Sequence, residues 1–194
     1  HIALIAGSSQ QNSQSAKVAY WLAASLQARD CETSVIELGQ QPLPLWPEAD
    51  SNGVWPAISA TLRSADALVV ISPEWHGMAC PAIKNFFLYA SKAQLAHKPA
   101  MLGSISAGVG GAFPISELRA SSYKNCRLCY IPEHLIVRDV NHVFNGVEAE
   151  SEADQRLRDR LAYNLDILLR YSQALAGIRD QIDMSIPAFT NGMS

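Results

Sequence analysis

Short apolar segments that alternate with amphipathic segments are the feature of this sequence that most constrains its fold. Five segments have the pattern of buried strands and five have the spacing of helices, with Gly-, Pro- or Ser-rich turns between them. The strand patterns lie at about 2–6, 33–38, 67–72, 100–106 and 135–137, and the helical patterns at about 13–28, 57–64, 81–93, 114–125 and 151–177. This alternation predicts an α/β fold in which helices cover both faces of an open parallel sheet.

The length and composition of the chain fit a single domain over residues 1–194, with 48% hydrophobic and 17% charged residues. Residues 178–194 have no periodic pattern, and we expect a tail that is flexible or covers a neighbouring subunit. The net charge of −3 and the absence of a basic cluster argue against nucleic acid as a partner. No apolar run reaches the roughly 18–20 residues of a membrane helix, so we expect no membrane association.

The number and spacing of the cysteines indicate whether the protein belongs to a reducing or an oxidising compartment. The four cysteines do not form the dense framework of a secreted scaffold, and we expect no signal peptide, although the chain begins at His1. We therefore predict a reduced, cytoplasmic protein. Cys126 and Cys129 have the spacing of a redox or zinc motif but come late in the chain, so we interpret them as structural thiols.

The segment 7–15 joins the first strand to the first helix and is rich in hydroxyl groups. Backbone N–H groups at a helix N-terminus are unpaired, and the helix dipole there favours an anion. Ser8, Ser13 and Ser15 add hydroxyl donors, so this segment predicts a phosphate site. The alternative is that Asn12 or Ser13 only caps the helix. The lysine of a nucleoside-triphosphate P-loop is missing, and so is a Gly-x-Gly-x-x-Gly pattern.

Two further segments follow strands at the same edge of the predicted sheet, where ligands bind in open α/β folds. In the segment 72–77, Trp75 offers a face for a planar ligand, although packing explains a lone tryptophan equally well. The glycines of the segment 106–111 allow backbone amides to approach a ligand closely.

These segments resemble the NADPH-dependent FMN reductase family over about residues 2–177. The first segment, Gly7-Ser8-Ser9-Gln10-Gln11-Asn12-Ser13-Gln14-Ser15, is similar to a family pattern Gly-Ser-x-Arg-x-x-Ser-x-Asn. The second, Ser72-Pro73-Glu74-Trp75-His76-Gly77, is similar to Thr-Pro-Glu-Tyr-Asn-Gly, and Pro81 and Lys84-Asn85 follow it as in the family. The chain departs from the family at Gln10, Ser15, Trp75 and His76, and at Leu88-Tyr89, where the family has Asp-Trp.

The resemblance implies a flavodoxin-like three-layer sandwich with a five-stranded parallel sheet in the order 2-1-3-4-5. It also implies noncovalent FMN, with the phosphate on Ser8, Ser13 and Ser15 and the isoalloxazine between residues 73–77 and 106–111. The cofactor-binding residues implied are Ser8, Gln10, Ser13, Gln14, Ser15, Pro73, Glu74, Trp75, His76, Gly77, Ser106, Gly108, Gly110 and Gly111.

The activity implied is transfer of hydride from NAD(P)H to flavin and on to a quinone, azo dye, metal oxyanion or free flavin. Amides of the third segment would stabilise negative charge at the pyrimidine end of the ring. The alternatives are an FMN-binding electron-transfer protein without nicotinamide-dependent turnover, and a fold relative that binds another phosphate. We predict no catalytic side chain and no metal, because the flavin carries the chemistry.

The helical segment 82–93 bears on oligomeric state. Phe86, Phe87, Leu88 and Tyr89 are apolar on more than one face, and one helix on its own sheet would not bury all four. We therefore predict a homodimer or homotetramer with the flavin near a subunit boundary. The row Arg156, Arg158 and Arg160 is interpreted as a solvated helix face.

Overall fold

A parallel sheet forms the centre of the fold in the computed structural model, which describes residues 1–186 of the chain. The strands are β1 (Ile2–Ala6), β2 (Thr33–Glu37), β3 (Ala67–Trp75), β4 (Met78–Ala79), β5 (Pro99–Ile105) and β6 (Cys129–Val137). The five long strands are parallel in the order β2-β1-β3-β5-β6, and the short β4 pairs only with the end of β3, antiparallel. Counted without β4, this order is 2-1-3-4-5, which confirms the predicted flavodoxin-like sheet.

Helices cover both faces of the sheet. They are α1 (Gln14–Gln27), α2 (Trp55–Ser64), α3 (Pro81–Tyr89), α4 (Lys92–Leu95), α5 (Ala112–Ser121) and α6 (Glu152–Arg179). Side chains alternate along each strand, so Leu4 packs under α1 and α6 while its neighbour Ile5 packs under α2, α3 and α5. The two apolar clusters are the two cores of a three-layer sandwich.

The end of β3 differs from the sequence prediction, which ended this strand at residue 72. The strand continues to Trp75, which pairs with Met78 across a two-residue turn. His76 and Gly77 both have positive φ, 51° and 73°, as the tight hairpin turns that match strand twist require. A His-Gly pair is a weaker hairpin signal than Asn-Gly, and so the hairpin was not anticipated.

Two helix ends also differ. The predicted helix over 81–93 ends at Tyr89, because Ser91 and Gln94 form a capping box that begins the separate helix α4. Gly177 does not end α6, which continues to Arg179. Arg179 donates to the carbonyl and to the carboxylate of Asp66, and these bonds hold the last turn of α6 against the start of β3.

The predicted tail therefore begins later than expected. Ile178 and Arg179 belong to α6, and the Lys92 ammonium donates to the carbonyl of Met184 at 3.0 Å. Residues 187–194 of the predicted tail lie outside the described residues. Across residues 1–186, no helix combines the length and apolarity needed to cross a membrane.

Candidate functional site

A cleft opens at the carboxyl ends of β1, β3 and β5, where the three segments singled out from the sequence meet. Its lining consists of Ser8, Gln10, Ser13, Gln14, Ser15, Pro73, Glu74, Trp75, Ile105, Ala107 and Val140. Eight of these residues were predicted as cofactor-binding, and a ninth, His76, lines an adjoining recess with Gln10, Glu74 and Trp75. The topology brings them together because parallel strands end at one edge of the sheet.

The first segment turns sharply between β1 and α1. The N–H of Gly7 donates to the carbonyl of Ile71 at 2.8 Å, and a Cβ on Gly7 would overlap that carbonyl oxygen. Ser8 is buried, and its Oγ accepts from the N–H of Gln10 at 3.1 Å. Glycine at position 7 thus lets the two strand ends approach closely, and the turn places the hydroxyl groups at the cleft.

Ser13 caps the helix α1. Its Oγ accepts from the N–H of Ala16 at 3.1 Å, and its backbone is extended as an N-cap requires. Of the two capping candidates, the structure uses Ser13 and not Asn12. Because the cap uses an acceptor of the Ser13 hydroxyl, its O–H group still has a hydrogen to donate towards the cleft.

Ser15 is the hydroxyl whose surroundings point most clearly to a ligand. It lies in the first turn of α1, is only 1% exposed and lines the cleft, yet its Oγ has no hydrogen-bond partner among residues 1–186. Buried hydroxyl groups are normally paired, because an unpaired one costs free energy. An unpaired donor beside the free N–H groups of a helix N-terminus fits a phosphate group well.

Among residues 1–186, no lysine or arginine contributes to the lining of this cleft. The nearest lysine along α1 is Lys17, whose ammonium donates to the carbonyls of Val140 at 2.6 Å and Val143 at 2.9 Å and to Oδ1 of Asn145 at 2.9 Å. Burial lowers the pKa of this ammonium group. Lys17 therefore fixes the Val140 wall, and an anion in the cleft would depend on hydroxyl groups, N–H groups and the helix dipole.

Trp75 both packs and lines the cleft, so the two interpretations of this side chain are compatible. It is half-buried against the apolar cluster under α3 and α5, and it also forms part of the cleft wall. His76 is exposed at the tip of the hairpin, and Gly77 lies beyond the cleft wall, close to Phe113. The hairpin thus presents one aromatic face to the cleft.

The third segment lies beside the cleft, and only Ala107 of this segment lines it. Two of its amides already have partners, since the N–H of Gly108 donates to Oγ of Ser106 and the N–H of Gly111 donates to Oε2 of Glu74 at 2.8 Å. These two N–H groups are not free to stabilise charge on a ligand in the way predicted. The third glycine predicted in this segment, Gly110, leaves room for the Glu74 carboxylate, because a Cβ at this position would overlap Oε1.

Several residues that position the site were not found from the sequence. Arg138 donates from Nε to the carbonyls of Val109 at 2.7 Å and Gly110 at 2.9 Å, which holds the third segment in place. Ile105 and Val140 are apolar wall residues. Nothing in their local sequence distinguishes them from ordinary core residues, so only the fold reveals their role.

The remaining motifs lie outside the cleft lining. All four cysteines are free, and burial raises the pKa of the Cys126 and Cys129 thiols. Within residues 1–186, no group of acidic, histidine and cysteine side chains could hold a metal ion. The solvated-face interpretation of Arg158 was wrong, because this side chain is buried, pairs with Asp154 at 3.0 Å and lies over the Trp21 ring.

Comparisons with known proteins agree with this geometry. The FMN-dependent NADPH-azoreductase of Staphylococcus aureus is 27% identical over 126 residues, a match that spans 60% of this chain and 65% of the azoreductase. Among solved structures, the apo form of the NADH:FMN oxidoreductase EMOB superposes with a TM-score of 0.69 at 18% identity, covering 98% of this chain and 93% of that one. FerB, a flavoenzyme NAD(P)H:(acceptor) oxidoreductase from Paracoccus denitrificans, superposes with a TM-score of 0.66 at 20% identity, covering 90% and 97%.

The structural similarities establish the fold, which an archaeal flavodoxin shares at a TM-score of 0.59, 13% identity and coverage of 88% of this chain and 99% of that one. The family model for NADPH-dependent FMN reductases matches residues 1–142, which contain all three segments that form the cleft. The chain therefore belongs to the NADPH-dependent FMN reductase family, a family of oxidoreductases that use FMN with a nicotinamide donor.

Proposed function

We propose that this chain is an FMN-dependent NAD(P)H oxidoreductase that binds FMN in the cleft at the carboxyl edge of the sheet. The observation that carries the proposal is the buried hydroxyl of Ser15 at the N-terminus of α1, which has no hydrogen-bond partner within residues 1–186 and lies in a cleft that Trp75 also lines. Bound FMN supplies the chemistry, because it accepts hydride from a nicotinamide and passes electrons to an acceptor.

The protein groups divide into two sets along the cleft. Ser8, Ser13 and Ser15, with the free N–H groups of the first turn of α1, would hold the phosphate. Residues 73–75 and Ala107 would flank the isoalloxazine, and Gln10 and Gln14 line the same cleft. Ile105 and Val140 are buried and would exclude water from this part of the cleft.

The acceptor would bind in the recess lined by Gln10, Glu74, Trp75 and His76. Its one large aromatic wall suits a planar acceptor such as a quinone, an azo dye or a free flavin, which can stack on Trp75. A metal oxyanion is the less favoured acceptor, because no lysine or arginine of the described part of the chain lines the recess. His76 can donate a hydrogen bond there, and a proton-donor role for it is the alternative to a simple wall.

We propose a homodimer or homotetramer whose second copy covers the exposed apolar surface beside the hairpin. Met78 is 55% exposed, Leu88 is 56% exposed and Phe113 is 66% exposed. Of the four apolar residues on α3 that suggested an interface, Phe86 is buried, Phe87 and Tyr89 are half-buried and Leu88 is exposed. Exposed apolar side chains this close to a site are typical of subunit contacts. The free thiols support a reducing compartment, and we propose the cytoplasm.

Steady-state turnover tests the proposal. Purified protein, freed of flavin and then titrated with FMN, should bind one FMN per chain and oxidise NADPH or NADH in the presence of a quinone or an azo dye. The electron-transfer alternative predicts FMN binding without nicotinamide oxidation. A protein that binds inorganic phosphate but no flavin would contradict both and would favour a fold relative with another ligand.

A further inference from the structure

The carboxylate of Glu74 accepts hydrogen bonds from the start of the helix α5. Its Oε2 accepts from the N–H of Gly111 at 2.8 Å and from the N–H of Phe113 at 3.3 Å. A Cβ on Gly110 would overlap Oε1, so both carboxylate oxygens face the start of α5. The N-terminal N–H groups of a helix attract anions, and here a side chain of the protein takes the place of an external anion.

A second carboxylate, that of Glu117 on α5, accepts a hydrogen bond from the same hairpin. Glu74 pairs in the hairpin with Ala79, and the N–H of Ala79 donates to Oε2 of Glu117 at 2.7 Å. Glu117 lies on α5 and forms an ion pair with Lys84 of α3, and the hydrogen bond from Lys84 lowers the pKa of Glu117. A carboxylate of the hairpin thus accepts from N–H groups at the start of α5, and a carboxylate of α5 accepts from an N–H group of the hairpin.

These reciprocal bonds fix the distance between the two segments that would flank the isoalloxazine. The hairpin carries Trp75, and the loop that leads into α5 contains Ala107. Both sides of this part of the cleft therefore depend on the Glu74–Ala79 pair of the hairpin. Arg138 anchors the loop before α5 from its other side, by donating to the carbonyls of Val109 and Gly110, but the Glu74 bonds are the ones that join this loop to the hairpin strand β3.

We propose that the Glu74 side chain is a positioning residue, which holds the hairpin against the start of α5 and so sets the width of the flavin-ring site. The inference rests on the proposed function, and it assigns to the Glu74 carboxylate a role other than direct contact with the cofactor. Two N–H groups of the protein donate to Oε2, so this oxygen is used to hold the start of α5.

The experiment compares three variants with the wild type. Glu74→Ala removes both bonds, Glu74→Gln keeps one acceptor oxygen, and Asp50→Ala is the matched control. Asp50 also places a carboxylate on a helix N-terminus, where it accepts from the N–H of Trp55 at 2.9 Å, but it lies outside the cleft lining. Amide hydrogen exchange of the flavin-free proteins is measured first, followed by titration with FMN and with riboflavin.

We expect Glu74→Ala to speed exchange at Gly111 and Phe113 about tenfold or more in the absence of flavin. The dissociation constants of FMN and riboflavin should rise by the same factor, about tenfold, because the ring site and not the phosphate site changes. The visible absorption of bound flavin should shift in Glu74→Ala. Glu74→Gln should fall between the wild type and Glu74→Ala, and Asp50→Ala should change stability without changing either dissociation constant.

Two results would overturn the proposal. Weaker flavin binding in Glu74→Ala with unchanged exchange at Gly111 would make Glu74 a direct ligand. Faster exchange with unchanged flavin binding and spectrum would make the bonds structural only. If the wild type bound no flavin, the proposed function would fail, and the exchange data on Gly111 and Phe113 would still decide whether Glu74 holds α5.

Discussion

Replacing Ser15 with alanine separates a ligand-binding role from a structural one, because the two roles predict opposite effects. In the flavin-free protein the Ser15 hydroxyl is buried and unpartnered among residues 1–186, which costs roughly 1–3 kcal/mol in comparable cases. Alanine also has the higher helix propensity at this position of α1. We therefore expect Ser15→Ala to leave the free energy of unfolding unchanged or to raise it by about 1 kcal/mol.

In the FMN complex the same substitution should be costly. A hydrogen bond to a charged phosphate oxygen contributes about 1.5–3 kcal/mol, which corresponds to roughly a ten- to 150-fold change in dissociation constant. Riboflavin lacks the phosphate, and its affinity should change by less than about threefold. Fluorescence titration of the flavin-free protein with each flavin, beside urea unfolding, measures all three quantities.

Two serine variants serve as controls for this prediction. Ser13→Ala removes the hydrogen bond to the N–H of Ala16 and should cost about 1 kcal/mol of stability, in addition to weakening FMN. Ser104 is another buried hydroxyl without a partner in the described part of the chain, but it lies outside the cleft lining, so Ser104→Ala should leave FMN affinity unchanged. Equal losses of FMN and riboflavin affinity in Ser15→Ala would refute the phosphate assignment.

Three further predictions follow from the geometry. Gln10→Arg should place a cation at a cleft whose lining, over residues 1–186, contains neither lysine nor arginine. It should tighten FMN about ten- to a hundredfold in a titration without tightening riboflavin, and equal tightening of both would contradict a phosphate contact. Trp75→Ala should raise the emission of bound flavin or weaken its binding, whereas Trp46→Ala, outside the cleft, should do neither. Burial lowers the pKa of Lys98 from 10.5 to about 8. Between these two pH values the folded state binds fewer protons than the unfolded state, so the stability of the wild type relative to Lys98→Met should rise from about pH 8 to about pH 10.5. Urea unfolding at several pH values measures this difference, and a flat or falling difference would contradict the pKa shift.

The sequence predicted five parallel strands because each strand leaves a local pattern of apolar residues. Runs such as Ile2–Ala6 and Ala67–Ile71 are short and buried on both faces, which is typical of parallel strands. The start of β6 was predicted at about residue 135 but lies at Cys129, because Pro132, Glu133 and His134 interrupt its apolar pattern. The Ser13 cap was also predictable, since a serine at that place before a helical pattern is a common signal.

Interactions between distant segments could not be read from the sequence. The Glu74 bonds join residues 37 and 39 positions apart, and no local pattern indicates that a strand-end carboxylate will meet the start of α5. The ion pair between Arg158 and Asp154 could be predicted, because residues four apart face each other on a helix. Its burial could not, since Glu152 and Arg156 have the same spacing and are exposed. The aromatic side chains of Trp21 and Phe144 that enclose Arg158 come from other elements and were not predictable.

The central claim is that this cleft binds FMN and presents it to a nicotinamide for reduction. Anaerobic stopped-flow mixing of the FMN-loaded protein with NADPH, and separately with NADH, tests this claim most directly. The proposed function predicts that at least one nicotinamide bleaches the visible flavin absorbance in a single-turnover phase that is fast enough to support steady-state turnover. Bound FMN that keeps its oxidised spectrum with both nicotinamides, but is reduced by dithionite, would contradict it and would leave an electron-transfer protein.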